Sequence, residues 1–89
     1  MNFIKFPFNA LRNGAVVEVT LTGVESDVFL VDPGNLSSME AGRQFKYHGG
    51  HYKNSPVRLV VPSAGDWIAI VVPGAGGKVT ASARVVDLL

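Results

Sequence analysis

The chain has 89 residues, eight Lys and Arg, seven Asp and Glu and no cysteine, so its formal net charge is +1. This length fits one domain, which we expect to span residues 1–89, and the charge balance provides no global field that would steer a partner. The lack of cysteine excludes disulfides and thiolate metal sites, and it favours a cytoplasmic setting over a secreted one.

Hydrophobic residues make up 47% of the chain, a large share for a domain whose small size leaves much surface to cover. This surplus indicates that some apolar area is buried against another copy or another protein. No apolar run approaches the roughly 18 residues of a membrane helix, and the N-terminus lacks a signal-peptide pattern. We therefore expect a homo-oligomer or a protein partner, and no membrane.

Two segments near the N-terminus predict strands. Residues 2–6 form the first, which we expect Pro7 to end because proline removes a backbone hydrogen-bond donor. In residues 15–22, apolar residues alternate with polar ones from Val17 to Leu21. This alternation predicts a strand with one buried face.

The next two segments differ in pattern. Residues 27–31 are apolar on both faces after the first residue, which predicts a central strand. Residues 36–41 show the chain's helical pattern, and we expect at most one short helical turn there. Asn35 or Ser37 would cap this turn and Gly42 would end it.

Residues 46–53 have the sequence Lys-Tyr-His-Gly-Gly-His-Tyr-Lys, which is the same in both directions. Gly-Gly is a favoured two-residue hairpin loop, so the segment predicts a hairpin that turns at its centre. Period two along both arms would put the histidines and lysines on one face and the tyrosines on the other. The facing pairs would be His48 with His51, Tyr47 with Tyr52, and Lys46 with Lys53.

The surrounding residues, 41–65, include four Lys or Arg residues, both histidines and no acidic residue. If compact, they would form a positive patch for an anionic group such as a phosphate, a carboxylate or a nucleic-acid backbone, with aromatic rings available for stacking. The alternative is a solvated hairpin whose tyrosines pack on the core. The candidate ligand-binding residues are Arg43, Lys46, Tyr47, His48, His51, Tyr52, Lys53, Arg58 and Trp67.

The two histidines also allow a metal hypothesis, since imidazoles that face each other across a hairpin can chelate zinc or nickel. Such a site needs further ligands, which only a tertiary approach of Asp32 or Asp66 would supply. The sequence has no nucleophile elbow, and the closely spaced carboxylates Glu25 and Asp27 flank a strand start, where we expect them to be solvated. We therefore expect no catalytic residue, no metal and no cofactor.

Three later segments predict strands: residues 57–61, 67–72 and 78–86. Trp67 opens the most apolar of these strands, and we expect it to anchor the core or its rim, with a stacking platform as the alternative. Together the segments predict an all-β, antiparallel domain of about six or seven strands. A sandwich, a barrel and a prism-like arrangement all fit.

Several motifs of the chain resemble a known family. They are Tyr-His-Gly-Gly-His at 47–51, Ser-Pro-Val-Arg at 55–58 and Val-Pro-Ser-Ala-Gly-Asp-Trp at 61–67, with Met-Asn-Phe at 1–3 and Val-Val-Glu-Val-Thr-Leu at 16–21. These motifs, which span nearly the whole chain, resemble the bacterial family described as domain of unknown function 1883. The resemblance implies a small all-β domain in a bacterial cytosolic setting, which occurs alone or ahead of a Toll/interleukin-receptor-like domain. It carries over no catalytic residue.

The function we expect is that of a non-enzymatic binding module for an anionic or polar ligand, held by the basic segment 46–53 and its neighbours. The partner would be an anionic small molecule or a protein, with nucleic acid as an open alternative. A structural self-association domain is the second hypothesis. A metal-dependent enzyme centred on the histidines is the third.

Overall fold

The computed structural model describes residues 2–75 and 77–86. Their elements are β1 (Ile4–Leu11), β2 (Val16–Gly23), β3 (Ser26–Val31), α1 (Pro33–Glu40), β4 (His48–Tyr52), β5 (Val57–Val60), β6 (Gly65–Pro73) and β7 (Val79–Val86). The strands form two antiparallel sheets, one in the order β1-β6-β3-β4 and the other in the order β5-β2-β7. The all-β prediction is confirmed, and the two sheets form a sandwich.

The two sheets enclose the larger apolar core. Val17 and Val19 of β2 are fully buried in it, together with Val28 of β3, as the alternation in residues 15–22 predicts. Trp67 of β6 belongs to the same core at 7% exposed, and its indole Nε1 donates a hydrogen bond of 2.8 Å to the carbonyl oxygen of Ser63. The expectation that Trp67 anchors the core is confirmed.

The outer face of the four-stranded sheet carries a second, smaller core. Phe29 and Val31 of β3 pack there with Ile68 and Ile70 of β6, and Met39 of α1 joins them. β3 and β6 are therefore buried on both faces. This explains why their sequences are apolar without alternation.

The helix begins three residues earlier than the sequence predicts. The Asp32 carboxylate accepts a hydrogen bond of 2.7 Å from the backbone N–H of Asn35, and Pro33 takes the first helical position. Asp-Pro-Gly favours a turn, but the same residues supply an N-cap and a preset φ for a helix. The expectation that Asn35 or Ser37 caps the helix is wrong.

β1 does not end at Pro7. It runs from Ile4 to Leu11, and its register with β6 shifts between Phe8 and Leu11. β1 is the edge strand of its sheet, where a missing N–H donor is tolerated. The expectation that Pro7 ends the first strand is therefore wrong.

Candidate functional site

The segment 46–53 does not form a hairpin. Residues 48–52 are the single strand β4, which pairs along its whole length with β3, so that Gly49 lies opposite Phe29 and His51 opposite Asp27. Gly49 has φ +153°, and a Cβ built on it would lie 2.6 Å from the Cα of Phe29. The glycine permits a close approach of two strands rather than a reversal of the chain.

The two histidines lie on opposite faces of the sheet. His48 points toward the inter-sheet core, where its ring centroid is 5.6 Å from that of Trp67, and Tyr52 packs against the same core. Tyr47 and His51 lie on the outer face. The expected pairing of His48 with His51 is wrong, and so is the idea that the pair chelates a metal, because residues three apart in one strand point in opposite directions.

On the outer face, three aromatic rings form a cluster beside an open cavity. The ring centroids of Phe29 and Tyr47 are 5.2 Å apart, those of Phe45 and Tyr47 5.6 Å, and those of Phe29 and Phe45 6.0 Å. Phe29 is 6% exposed and forms the floor, whereas Tyr47 is 53% exposed. The cavity has a volume of about 390 Å³, and we call it the aromatic pocket. It is lined by Asp27, Phe29, Phe45, Tyr47, Gly50, His51 and Val72.

The polar wall of the aromatic pocket is an imidazole held between two carboxylates. The Nδ1 atom of His51 lies 2.8 Å from Oδ1 of Asp27, and its Nε2 atom lies 3.3 Å from Oε1 of Glu25. The hydrogen bonds to Asp27 and then Glu25 raise the pKa of His51, because the charged imidazolium donates from both nitrogens. Residues 41–65 contain no acidic residue, but β3 and the turn before it bring two carboxylates to His51 from outside this segment.

Phe45 precedes β4, and a short chain of hydrogen bonds ties its neighbour Lys46 to the start of α1. The Asp32 carboxylate accepts a hydrogen bond from the backbone N–H of Asn35 and a second one, of 3.0 Å, from the side-chain amide of the same residue. Oδ1 of Asn35 in turn accepts a hydrogen bond of 2.8 Å from the backbone N–H of Lys46. The helix cap thereby fixes the backbone that places Phe45 and Tyr47 against the sheet.

The predicted basic residues divide between different parts of the molecule. Arg43 and Lys46 line an open cavity of about 900 Å³ that shares Phe45 with the aromatic pocket, and we call it the loop cavity. Lys53 is exposed just beyond the end of β4. Arg58 lies on the other sheet. The structure thus gathers Arg43, Lys46, Tyr47 and His51 around Phe45, and it separates His48, Tyr52, Lys53, Arg58 and Trp67 from them.

Arg58 belongs to a charged row across the three-stranded sheet. Glu18 of β2 lies between Arg58 of β5 and Arg84 of β7, with Oε2 3.1 Å from Nε of Arg58 and Oε1 3.0 Å from Nη2 of Arg84. The Glu18 residue is only 7% exposed. The hydrogen bond from Arg84 and the charges of both arginines lower the pKa of Glu18, although its burial opposes this.

Sequence reasoning named Tyr47 and His51, but it missed Asp27, Phe29 and Phe45, which line the pocket with them. Phe29 and Asp27 are two apart in β3 and so share a face, as do Phe45 and Tyr47 in the segment before β4. The two-residue periodicity of an extended chain would have placed the members of each pair on one face. The pairing of β3 with β4, which brings the two pairs together, has no comparable local signal.

The described residues, 2–75 and 77–86, form no helix that is long and apolar enough to cross a membrane. Neither the curated proteins nor the solved structures include a match to this chain. One family does match, over residues 1–87, and its description is "Domain of unknown function (DUF1883)". Since this match spans nearly all of the 89 residues, the chain belongs to the DUF1883 family.

Proposed function

We propose that this domain is a non-enzymatic binding module that holds a polar small molecule, or a side chain of a partner protein, in the aromatic pocket. The observation that carries the proposal is the cluster of Phe29, Phe45 and Tyr47 beside a cavity of about 390 Å³ with one fixed polar wall. Ligand sites are commonly concave, largely apolar and about 300–1,000 Å³ in volume, with a few polar groups that set orientation.

A binding role is favoured over catalysis by the state of His51. Both of its ring nitrogens already face carboxylate oxygens, at 2.8 Å and 3.3 Å. A general base needs a free nitrogen within reach of the proton that it takes. The imidazole is therefore suited to shaping the pocket rather than to moving a proton of a substrate.

The proposal is tested by screening a library of small polar and aromatic fragments against the ¹⁵N-labelled protein. We expect saturable chemical-shift changes concentrated in β3, β4 and residues 45–47. The variant Tyr47→Ala should abolish them, because it removes the exposed ring of the pocket. The matched control is Val60→Ala, since Val60 is an exposed apolar residue on the three-stranded sheet. Shifts that survive in Tyr47→Ala, or no saturable shifts at these positions, would refute the proposal.

An anionic group has its own candidate location in the loop cavity, where Arg43 and Lys46 both belong to the lining. If an anion binds there, its affinity should fall as salt rises. Titration with inorganic phosphate should shift residues 42–46 in the wild type and not in Arg43→Ala/Lys46→Ala. The variant Lys5→Ala/Lys78→Ala removes the same charge elsewhere and should leave the binding unchanged.

Self-association is the second candidate function, and one observation favours it. Val60 of β5 is 61% exposed and lies opposite Val16 in the register of the three-stranded sheet, beside the row of charges around Glu18. A second copy covering this face would remove an exposed apolar side chain from water. Sedimentation of wild type and Val60→Lys distinguishes the cases: a dimer that the substitution dissociates supports self-association, and a monomer at millimolar concentration contradicts it.

The setting that we propose is the bacterial cytosol. Its support is the absence of cysteine from the sequence and the bacterial family that the chain resembles. Fractionation of cells that carry the native gene, followed by immunodetection of the protein, tests this setting.

A further inference from the structure

We propose that the group held in the aromatic pocket is an organic cation, such as an alkylated ammonium or a guanidinium. This inference rests on the proposed function and names the chemistry that the pocket would select. It reverses, for this pocket, the preference for anions that the basic sequence segment suggests.

The first argument is the charge of the polar wall. Asp27 lines the pocket, and Glu25 reaches the far side of His51. Two carboxylates and one imidazolium carry a net charge of −1, and a neutral imidazole leaves −2. No lysine or arginine is among the described residues that line the aromatic pocket. At this wall the nearest charges therefore favour a cation over an anion, whereas Arg43 and Lys46 line the neighbouring loop cavity and not the aromatic pocket.

The second argument is that His51 offers nothing to an anion. Both ring nitrogens point at carboxylate oxygens, so neither N–H is left to donate to a bound phosphate or carboxylate. For an anion to replace the contact with Asp27 at 2.8 Å, it would have to displace a charge-assisted hydrogen bond.

The third argument is the aromatic surface. Tyr47 is half exposed, and with Phe29 and Phe45 it supplies aromatic ring surface to the lining of the cavity. The negative face of an aromatic ring attracts ammonium and guanidinium groups, and quaternary ammonium groups favour such sites because their charge is spread over methyl groups. A carboxylate wall beside aromatic rings therefore fits an organic cation on two counts.

The test compares ligands of the same shape with and without charge. Choline and its neutral carbon isostere, 3,3-dimethyl-1-butanol, are titrated into ¹⁵N-labelled protein, together with N-acetyl-arginine amide as the guanidinium probe. We expect at least one cation to shift residues 45–47, β3 and β4 saturably, with an affinity about fivefold or more above that of the neutral isostere. The preferred cation indicates whether the natural group resembles a free quaternary amine or an arginine side chain.

Substitutions of the carboxylates test which residue gives the pocket its preference for a cation. Asp27→Asn should weaken binding of the cation about fivefold and leave binding of the neutral isostere unchanged, because the substitution keeps size and removes charge. Glu25→Gln is the second variant if Asp27→Asn fails to fold, and Glu40→Gln removes a distant carboxylate as the control. Equal binding of choline and the isostere, or stronger binding of acetate, would overturn the inference while leaving the binding module intact. If neither these probes nor the fragment library shift the pocket residues, the proposed function fails as well.

Discussion

Replacing Gly49 by alanine tests the central structural finding, that residues 48–52 form one strand. Gly49 has φ +153°, a region that residues with a side chain rarely adopt. An added Cβ would lie 2.6 Å from the Cα and 2.7 Å from the Cβ of Phe29, and closer still to the carbonyl oxygen of Val28. Since these atoms belong to the adjoining strand, the added methyl group cannot be accommodated by the rotation of one side chain.

Two penalties add at this position. A non-glycine residue in such a backbone conformation costs about 1–3 kcal/mol, and an extra carbon in a closely packed place costs about 1–3 kcal/mol. Gly49→Ala should therefore lower the free energy of unfolding by about 2–6 kcal/mol, against a total of about 5–15 kcal/mol for a typical domain. The neighbouring Gly50 has no positive φ, and no atom lies within 4 Å of the position that an added Cβ would take. Gly50→Ala should be neutral, or should stabilise the domain by about 0.4–1 kcal/mol.

The assay is urea unfolding of the two variants and the wild type, followed by fluorescence of Trp67, the chain's single tryptophan. A hairpin that turned at Gly49 and Gly50 would need positive φ at both residues of a type I′ turn, so both substitutions would be costly. Equal losses for the two variants would refute the single-strand account. A loss confined to Gly49→Ala would exclude a type I′ hairpin at these glycines.

Four further predictions concern capping and charge. Asp32→Ala should lower the free energy of unfolding by about 0.5–2 kcal/mol and weaken fragment binding in the aromatic pocket. Unchanged binding would show that the helix cap does not position the pocket. Asp27→Asn should move the pKa of His51 down toward its ordinary value in an NMR titration, because it removes the largest cause of the upward shift; an unmoved pKa contradicts this assignment. In the wild type, the stability that this contact contributes should be present below the ordinary histidine pKa and lost as pH rises through the raised value in the folded protein. Because the pKa of Glu18 is lowered, the stability that its ionised carboxylate contributes should be present above the ordinary glutamate pKa and lost as pH falls through the lowered value. In a plot of the free energy of unfolding against pH, Glu18→Gln should therefore flatten the acid side. The control Glu40→Gln should leave that side unchanged.

The all-β fold could be predicted from the sequence because burial on one face or on both faces gives a strand a recognisable pattern of apolar residues, whereas the choice between a sandwich, a barrel and a prism stayed open. Alternation around Val17 and Val19 identifies a strand with one buried face, and the apolar run of β6 identifies a strand covered on both faces. These signals depend only on neighbours within the same strand. They needed no knowledge of which strands pair.

The candidate site could not be predicted in the same way, because its signals were ambiguous or distant. Gly-Gly suits a tight turn and also suits a strand that approaches another closely, and only the partner Phe29 decides between the two. His51 meets Asp27 of β3 and Glu25 of the turn before it, both of which lie more than twenty residues earlier in the sequence. A count of charges along residues 41–65 therefore missed the two carboxylates that contact this imidazole.

Because β4 lies at the margin of its sheet, a ligand bound in the aromatic pocket should be detectable by amide hydrogen exchange. Within the described part of the chain, β4 is hydrogen-bonded into the sheet through β3 alone. Amide hydrogens of a marginal strand exchange with solvent through local opening, which requires less free energy than unfolding of the whole domain. A ligand that touches Phe29 of β3 and Tyr47, the residue directly before β4, would hold the start of β4 against β3, and slower exchange at residues 48–52 would reveal it even where the average structure does not change.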